Sequence, residues 1–389
     1  VLVAKKADGQ LFSLAARFMP TYLKELRKVT EFFCPSCHKP VQLKVGTKTA
    51  PHFAHLKSQS CYANHEGETA YHLQGKQQLY EWLSLYKTVE LEPHLSSINQ
   101  RPDLLVRIGE KRYAIEFQCA NLSPELLVKR TQGYVSHDYH PIWILGAKRL
   151  TRLSQHTFKL SPQDWQYVTQ PIQDHPPFLL YYSPSDQLFI KLQHLYPFSP
   201  QICFATITTL PLDCYDFHDV LMLQKESVDF KKEWLQKKRK WRTQYMLYPT
   251  KAQQSFLETL YHHHIPPSHF PSEAGIQLPS LYVIDTPACI WQTWLLLDVL
   301  ANKCIGSTVS YQQFLYHFNK RIRTKEIKYR HVPLMDADLS LPLKEYIHAL
   351  CQMKVLKKVT HTAYKVIRMY TIPELTNDRF EADWKVTNE

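Results

Sequence analysis

Two alternating apolar runs meet at one tight turn: PDLLVRI (102–108) and KRYAIEFQ (111–118) are separated only by Gly109-Glu110. Such a join folds back on itself as a hairpin, and it fixes the fold class of what surrounds it. Before it come a helical stretch from about Gly67 to Tyr86 and a further strand, TVELEPHL. After it, Ser123-Pro124-Glu125 places a capping residue and then proline at the first helical position, so a helix starts there and runs to near His137. Pro141 then opens the apolar strand PIWILG. The order helix, three strands, helix, strand predicts an αβββαβ core.

The same pattern orients side chains. Glu116 and Gln118 are two apart on one strand and point to one side, while Ile115 and Phe117 point to the other. Asp103 opens the preceding strand after Arg101-Pro102, and the turn brings it beside the Glu116 strand. Glu68, His72 and Lys76 recur every four residues and share one helix face. Two or three grouped carboxylates hold a hard divalent cation, Mg or Mn, through oxygen. The cation activates a water and offsets charge on a phosphate. A lone helical Glu is ordinarily solvated, and an Asp often merely starts a strand. Glu116 inside an apolar strand has no such bland explanation.

Cys34-Pro-Ser-Cys37 followed by His52-Phe-Ala-His55 spaces four ligands as C-x2-C-x14-H-x2-H. Two thiolates and two imidazoles suit a tetrahedral structural zinc, and Cys61 can stand in for one histidine. The competing reading is a metal-free group of reduced cysteines and core histidines. Of nine cysteines only these two are closely spaced, which fits a reducing compartment. The opening VLVAKKADGQLFSL reads as a hairpin broken at Asp8-Gly9 rather than as a leader. The most apolar stretch, Tyr282 to Ala301, is broken by Asp285, Pro287 and Asp298, a poor membrane span. A cytoplasmic protein with no membrane partner is expected.

The segments RPD and EFQ, flanked by helices, resemble the core of the PD-(D/E)xK nuclease superfamily. ETAYHLQGK, KRTQGY and CPSCHKPVQLKVGTKTAPHFAH resemble the competence protein CoiA family. The resemblance implies an α/β multidomain protein: a small zinc-binding N-terminal domain (1–64), a restriction-endonuclease-like domain with a β connector (65–220), and a mainly helical C-terminal domain (221–389). It implies Asp103 and Glu116 as Mg or Mn ligands, Glu68 as a third acid, and Gln118 at the usual lysine position, where Lys76, or less readily His72, would supply the compensating charge if its face turns inward. Arg130 and Tyr134, four apart on the second helix, would face the same cleft and contact phosphate, with His72 and Lys76 beside them. The implied role is DNA processing in natural transformation, promoting recombination of incoming DNA, including single-stranded DNA. A recombinase or recombination mediator is the implied partner. The alternative is a nuclease fold that holds DNA or recombination proteins without cleaving.

The net charge of +12 favours a polyanionic partner. Its densest patch is Lys237, Lys238, Arg239, Lys240 and Arg242 within KKEWLQKKRKWRTQY, a candidate DNA contact through counterion release. Trp234 and Trp241, seven apart, are expected to pack on the C-terminal domain instead. LPLKEYIHALCQMKVL followed by the alternating KKVTHTAYKVIRMY suggests a winged-helix unit, and His262-His263-His264 a surface run. Only nine glycines occur, and neither a phosphate-binding G-x-x-x-x-G-K-[ST] loop nor a G-x-S-x-G elbow is present, which argues against P-loop and α/β-hydrolase chemistry.

Overall fold

The computed structural model describes residues 1–16, 18–47, 50–56, 69–85, 88–170, 175–243, 249–373, 381–383 and 385. Glu68 and Cys61 lie outside the described residues. The chain divides into two compact units. One comprises 1–151, 169–192 and 207–225; the other comprises 152–168, 193–206 and 226–389.

The first unit opens with the expected hairpin, β1 (Val3–Lys6) against β2 (Leu11–Ser13), turning at Gly9 with φ +84°. Helix α1 (Pro20–Val29) follows, then β3 (Phe32–Phe33), β4 (Pro40–Lys44) and β5 (His52–His55), in the antiparallel order β2-β1-β3-β4-β5. The next elements appear where the sequence places them. Helix α2 spans Ala70–Ser84, and Thr69 caps it by accepting from the His72 N–H. Strands β6 (Thr88–Leu91), β7 (Leu104–Ile108) and β8 (Lys111–Gln118) form an antiparallel meander. Helix α3 (Pro124–Val135), capped by Ser123, crosses back so that β9 (Tyr139–Gly146) pairs parallel to β8. The strand Phe178–Ser183 extends the sheet by pairing parallel to β9.

One core serves this unit. Leu73, Leu79 and Leu83 of α2 cover Leu104, Val106, Ile115, Phe117, Ile142 and Ile144 of the large sheet, and the cluster continues through Leu2, Phe12, Phe32 and Phe53 of the small one. Each such side chain contributes about 1.5–3 kcal/mol of burial. The small sheet and the αβββαβ core are thus stabilised together.

The second unit is mainly helical. Its central helix, Ala288–Leu300, is buried at nearly every position, with Trp291 and Trp294 inside a cluster that includes Phe256, Phe318 and Tyr346. Among the described residues no helix is long and apolar enough to cross a membrane. Helix Leu341–Gln352 and the strands Leu356–Lys358 and Ala363–Val366 occur as the sequence pattern indicates. A third strand, Thr308–Ser310, joins them in a small sheet and was not visible in the pattern, being only three residues long. His262, His263 and His264 are exposed at a helix end.

Candidate functional site

The β7–β8 register aligns the two carboxylates. Leu104 lies opposite Ile115, so the next positions outward are Asp103 and Glu116. Their side chains then take different partners. Asp103 turns to α2: its Oδ2 accepts from the Phe117 N–H at 2.9 Å and lies 3.3 Å from His72 Nε2, while its Oδ1 lies 3.3 Å from Lys76 Nζ. Burial pushes this carboxyl up, but the Lys76 and His72 charges and the His72 and Phe117 donors outweigh it and hold the group well below the carboxylate range.

Glu116 turns to α3. It is buried and accepts from both Arg130 Nη2 and the Tyr134 hydroxyl. Arg130 is pinned further by the Arg101 carbonyl at 3.1 Å and by the Trp143 ring, 5.7 Å from its guanidinium. Burial pushes Glu116 up to about 7; Arg130 opposes the shift and the nearby Asp103 charge adds to it. Gln118 is also buried, and its amide donates to the Ala120 carbonyl at 3.0 Å.

Lys76 does turn inward, as its helix face allows. It is 1% exposed and joins Glu92 as well as Asp103. Glu92 is the site residue that sequence reasoning missed. Alternation along TVELE would put it outside with Glu90. Instead the strand ends at Leu91, and Glu92 adopts φ +49°, outside the strand conformation. Its carboxylate is thereby buried, where it also accepts from the Leu2 and Val3 N–H groups at 3.0 and 3.2 Å. The Pro93 that follows is the one local signal of an irregular strand end.

Of the four expected Cys/His members, three come together. Cys34, Cys37 and His55 offer ligand atoms all within 4.8 Å of one another, with Cys37 Sγ 3.3 Å from His55 Nε2. His52 requires a correction. His52–Phe53–Ala54–His55 is β5, and on a strand residues three apart face opposite sides. His52 accordingly leaves the group, and its Nδ1 lies 3.0 Å from the Ala50 carbonyl. Burial raises the Cys34 thiol, yet the Cys37 and Ser36 N–H groups and the Arg101 charge bring it below its ordinary value. Burial and Arg101 lower His55. Both shifts favour the ligating forms, thiolate and neutral imidazole.

Three family profiles match the chain in order. They are described as Competence protein CoiA, N-terminal domain (17–64), nuclease-like domain (68–225) and C-terminal domain (230–379). A curated relative, Competence protein CoiA of Bacillus subtilis (strain 168), is 30% identical over 341 residues, 87% of this chain and 90% of the relative. The chain belongs to the competence protein CoiA family. No solved structure matches it. The Asp103/Glu116 pair lies within the stretch matched by the CoiA nuclease-like domain, and Cys34, Cys37 and His55 within that matched by the CoiA N-terminal domain.

Two expectations about nucleic-acid contacts need correcting. Tyr134 and Lys76 are buried, 0% and 1% exposed, because each neutralises or bonds a buried carboxylate; they support the site from within and do not present themselves to a phosphate. His72 and Arg130 keep partial exposure. In the CoiA C-terminal domain, helix Lys231–Thr243 turns Lys238 inward with Trp234. Lys238 is 1% exposed, donates to the Ser272 carbonyl at 2.8 Å and pairs with Asp383 at 2.8 Å. Lys238 and Trp234 are four apart and share the packed face, and Arg242, four further on, is buried with its guanidinium donating to Asp383 at 2.9 and 2.8 Å, so two of the five expected cations are structural; Lys237 is half-buried, and Arg239 and Lys240 remain exposed. The tryptophans pack as expected: Trp234 Nε1 donates to the Gly275 carbonyl at 2.8 Å, and Trp241 stacks edge-on to Phe270.

Proposed function

We propose that this chain processes DNA in natural transformation and that its nuclease-like domain cleaves phosphodiesters with Mg or Mn held by Asp103 and Glu116. The observation that carries the reading is Lys76, whose Nζ lies 3.3 Å from Asp103 Oδ1. A lysine stands beside the acid pair although Gln118 occupies its usual position. The donor set fits a hard cation: two carboxylates on adjacent strands and a neighbouring amide. Such an ion, when bound, activates a water and offsets phosphate charge. The chain's own residues do the rest. Lys76 and His72 keep Asp103 ionised, Arg130 and Tyr134 hold Glu116 in place, and Arg130 and His72, both partly exposed, are placed to meet a phosphate.

A structural zinc on Cys34, Cys37 and His55, with a fourth ligand from outside this trio, belongs to the same reading. So do a cytoplasmic setting, incoming single-stranded DNA as a partner, and a recombinase or recombination mediator acting with it. A specific observation favours a second reading. Both carboxylates already carry a protein cation, Lys76 on one and Arg130 on the other. A site neutralised in this way can hold DNA without cutting it.

Incubating labelled single-stranded, double-stranded and branched DNA with the protein, with and without Mn, separates the two. Mn-dependent cleavage is expected, and Asp103→Asn and Glu116→Gln are expected to abolish it while DNA binding in EDTA persists. Cleavage that survives Asp103→Asn would show the assigned site to be wrong. A wild type that binds DNA but cuts no substrate with any metal would leave the holding role.

A further inference from the structure

The C-terminal part of the second unit carries a feature that the nuclease-like site does not use. Helix Ala288–Leu300, strand Thr308–Ser310, helix Tyr311–Arg323 and helix Leu341–Gln352 are followed by the hairpin Leu356–Lys358/Ala363–Val366. The three strands pair with the hairpin's second strand in the middle. This is the element order of a winged-helix module, with the last helix and the hairpin side by side.

The last helix divides cleanly into two faces. Leu343, Tyr346, Ile347 and Leu350 are buried, and the Tyr346 hydroxyl donates to the Glu273 carbonyl at 3.0 Å. Glu345 is spent on the Ser280 N–H at 3.0 Å. Lys344, His348 and Gln352, spaced i, i+4, i+8, form an exposed stripe. Lys344 pairs at 3.0 Å with Asp338, but both are about half exposed, and such a surface pair is weak enough to exchange for a phosphate.

The hairpin beside this stripe is cationic in a way that folding alone does not favour. Lys357 and Lys365 stand directly opposite each other across the two strands, and both are exposed. Like charges at opposed positions repel. Among the described residues neither belongs to an ion pair. Lys354 and Lys358 add to the patch, and no Asp or Glu occurs between Tyr346 and Pro373. A repulsion kept on the surface is relieved by a polyanion.

We propose that this helix and hairpin form a second nucleic-acid site, separate from the carboxylate site, that docks on double-stranded DNA. The stripe Lys344–His348–Gln352 would enter the major groove, and Lys357 and Lys365 would meet the flanking phosphates. A projecting helix suits the B-form major groove, which is about 12 Å wide. The deep, narrow major groove of duplex RNA excludes it. Single strands are gripped by exposed aromatic rings, and the exposed positions of the stripe and hairpin carry no Phe, Tyr or Trp.

The test measures binding of the full chain to a short labelled DNA duplex over a range of salt. EDTA is present throughout, so the outcome does not depend on whether the carboxylate site is catalytic. Lys357→Gln/Lys365→Gln is expected to weaken binding about tenfold or more at 0.1 M salt and to reduce the slope of log K against log salt by about 1.8, two phosphates' worth. Its thermal midpoint should be no lower than that of the wild type, since a repulsion is removed. Lys24→Gln/Lys111→Gln, with the same charge change on exposed positions of the other unit, should leave the slope unchanged. The proposal is overturned by an unchanged slope in the hairpin variant, by an equal loss in the control, or by a loss of single-stranded DNA or duplex RNA binding in the hairpin variant as large as its loss of duplex DNA binding.

Discussion

A lysine with 1% exposure needs compensation, and Lys76 has it twice, in Glu92 and Asp103. Lys76 joins the two carboxylates, so removing Asp103 leaves the lysine on Glu92 but takes away one of its two charge partners. Asp103 makes this measurable. Its carboxyl is held well below the usual range, so its ionised form stabilises the fold above the ordinary carboxylate pKa of about 4, and that contribution is lost as pH falls through it. In EDTA, Asp103→Asn is expected to be about 2 kcal/mol less stable than the wild type at neutral pH. Urea titrations should show the gap closing between roughly pH 5 and pH 2. A gap independent of pH would mean that Asp103 gains nothing from its cationic neighbours.

At the scale of elements, what delivers Lys76 to Asp103 is the closeness of α2 to β8. Gly75 sits against the Phe117 ring, and a Cβ there would come within 2.2 Å of Phe117 Cε1. Gly75→Ala is therefore expected to cost about 1–3 kcal/mol through overpacking, despite alanine's better helix propensity. The added group would also force Lys76, the next residue, away from the acid pair. Adding Phe117→Leu should recover part of the loss, and a double-mutant cycle by urea unfolding measures the coupling. Equal stability of Gly75→Ala and wild type would show that the contact yields without cost. The elements themselves were readable from the chain: apolar alternation and the Gly109-Glu110 turn give β7 and β8, and Ser123-Pro124 gives the start of α3. Their side-chain partners were not. Glu92 was hidden because a backbone in the positive-φ region breaks the alternation that a sequence reading relies on.

For the whole molecule, the small sheet shares its core with the αβββαβ fold, so loss of order around Cys34 is expected to be felt within that unit. Purified protein should contain about one zinc per chain. Chelation, or Cys34→Ser, should speed hydrogen exchange in β3 to β5 while the core helix Ala288–Leu300 of the other unit stays protected. Metal-free protein with unchanged melting and exchange would return the trio to reduced cysteines and a core histidine.

The sequence by itself determined the αβββαβ element order, the family resemblance and the pairing of the strands that carry Asp103 and Glu116. Those depend on local spacing: a period of two on strands, four on helices, and a two-residue turn. It also determined that Cys34 and Cys37 would meet, since a two-residue gap allows little else. Only the tertiary structure decided which of the spaced residues face inward together. His52 and His55 look equivalent as a pair of histidines, but a strand separates them onto opposite faces. Lys238 looks like one cation among several in a basic run, but it is buried against Asp383, 145 positions away in the chain. Tyr134 looks like a phosphate ligand, but it is buried with its hydroxyl on Glu116. For Lys238 the partner is distant in sequence, and burying a charge is tolerated only where its opposite is buried with it.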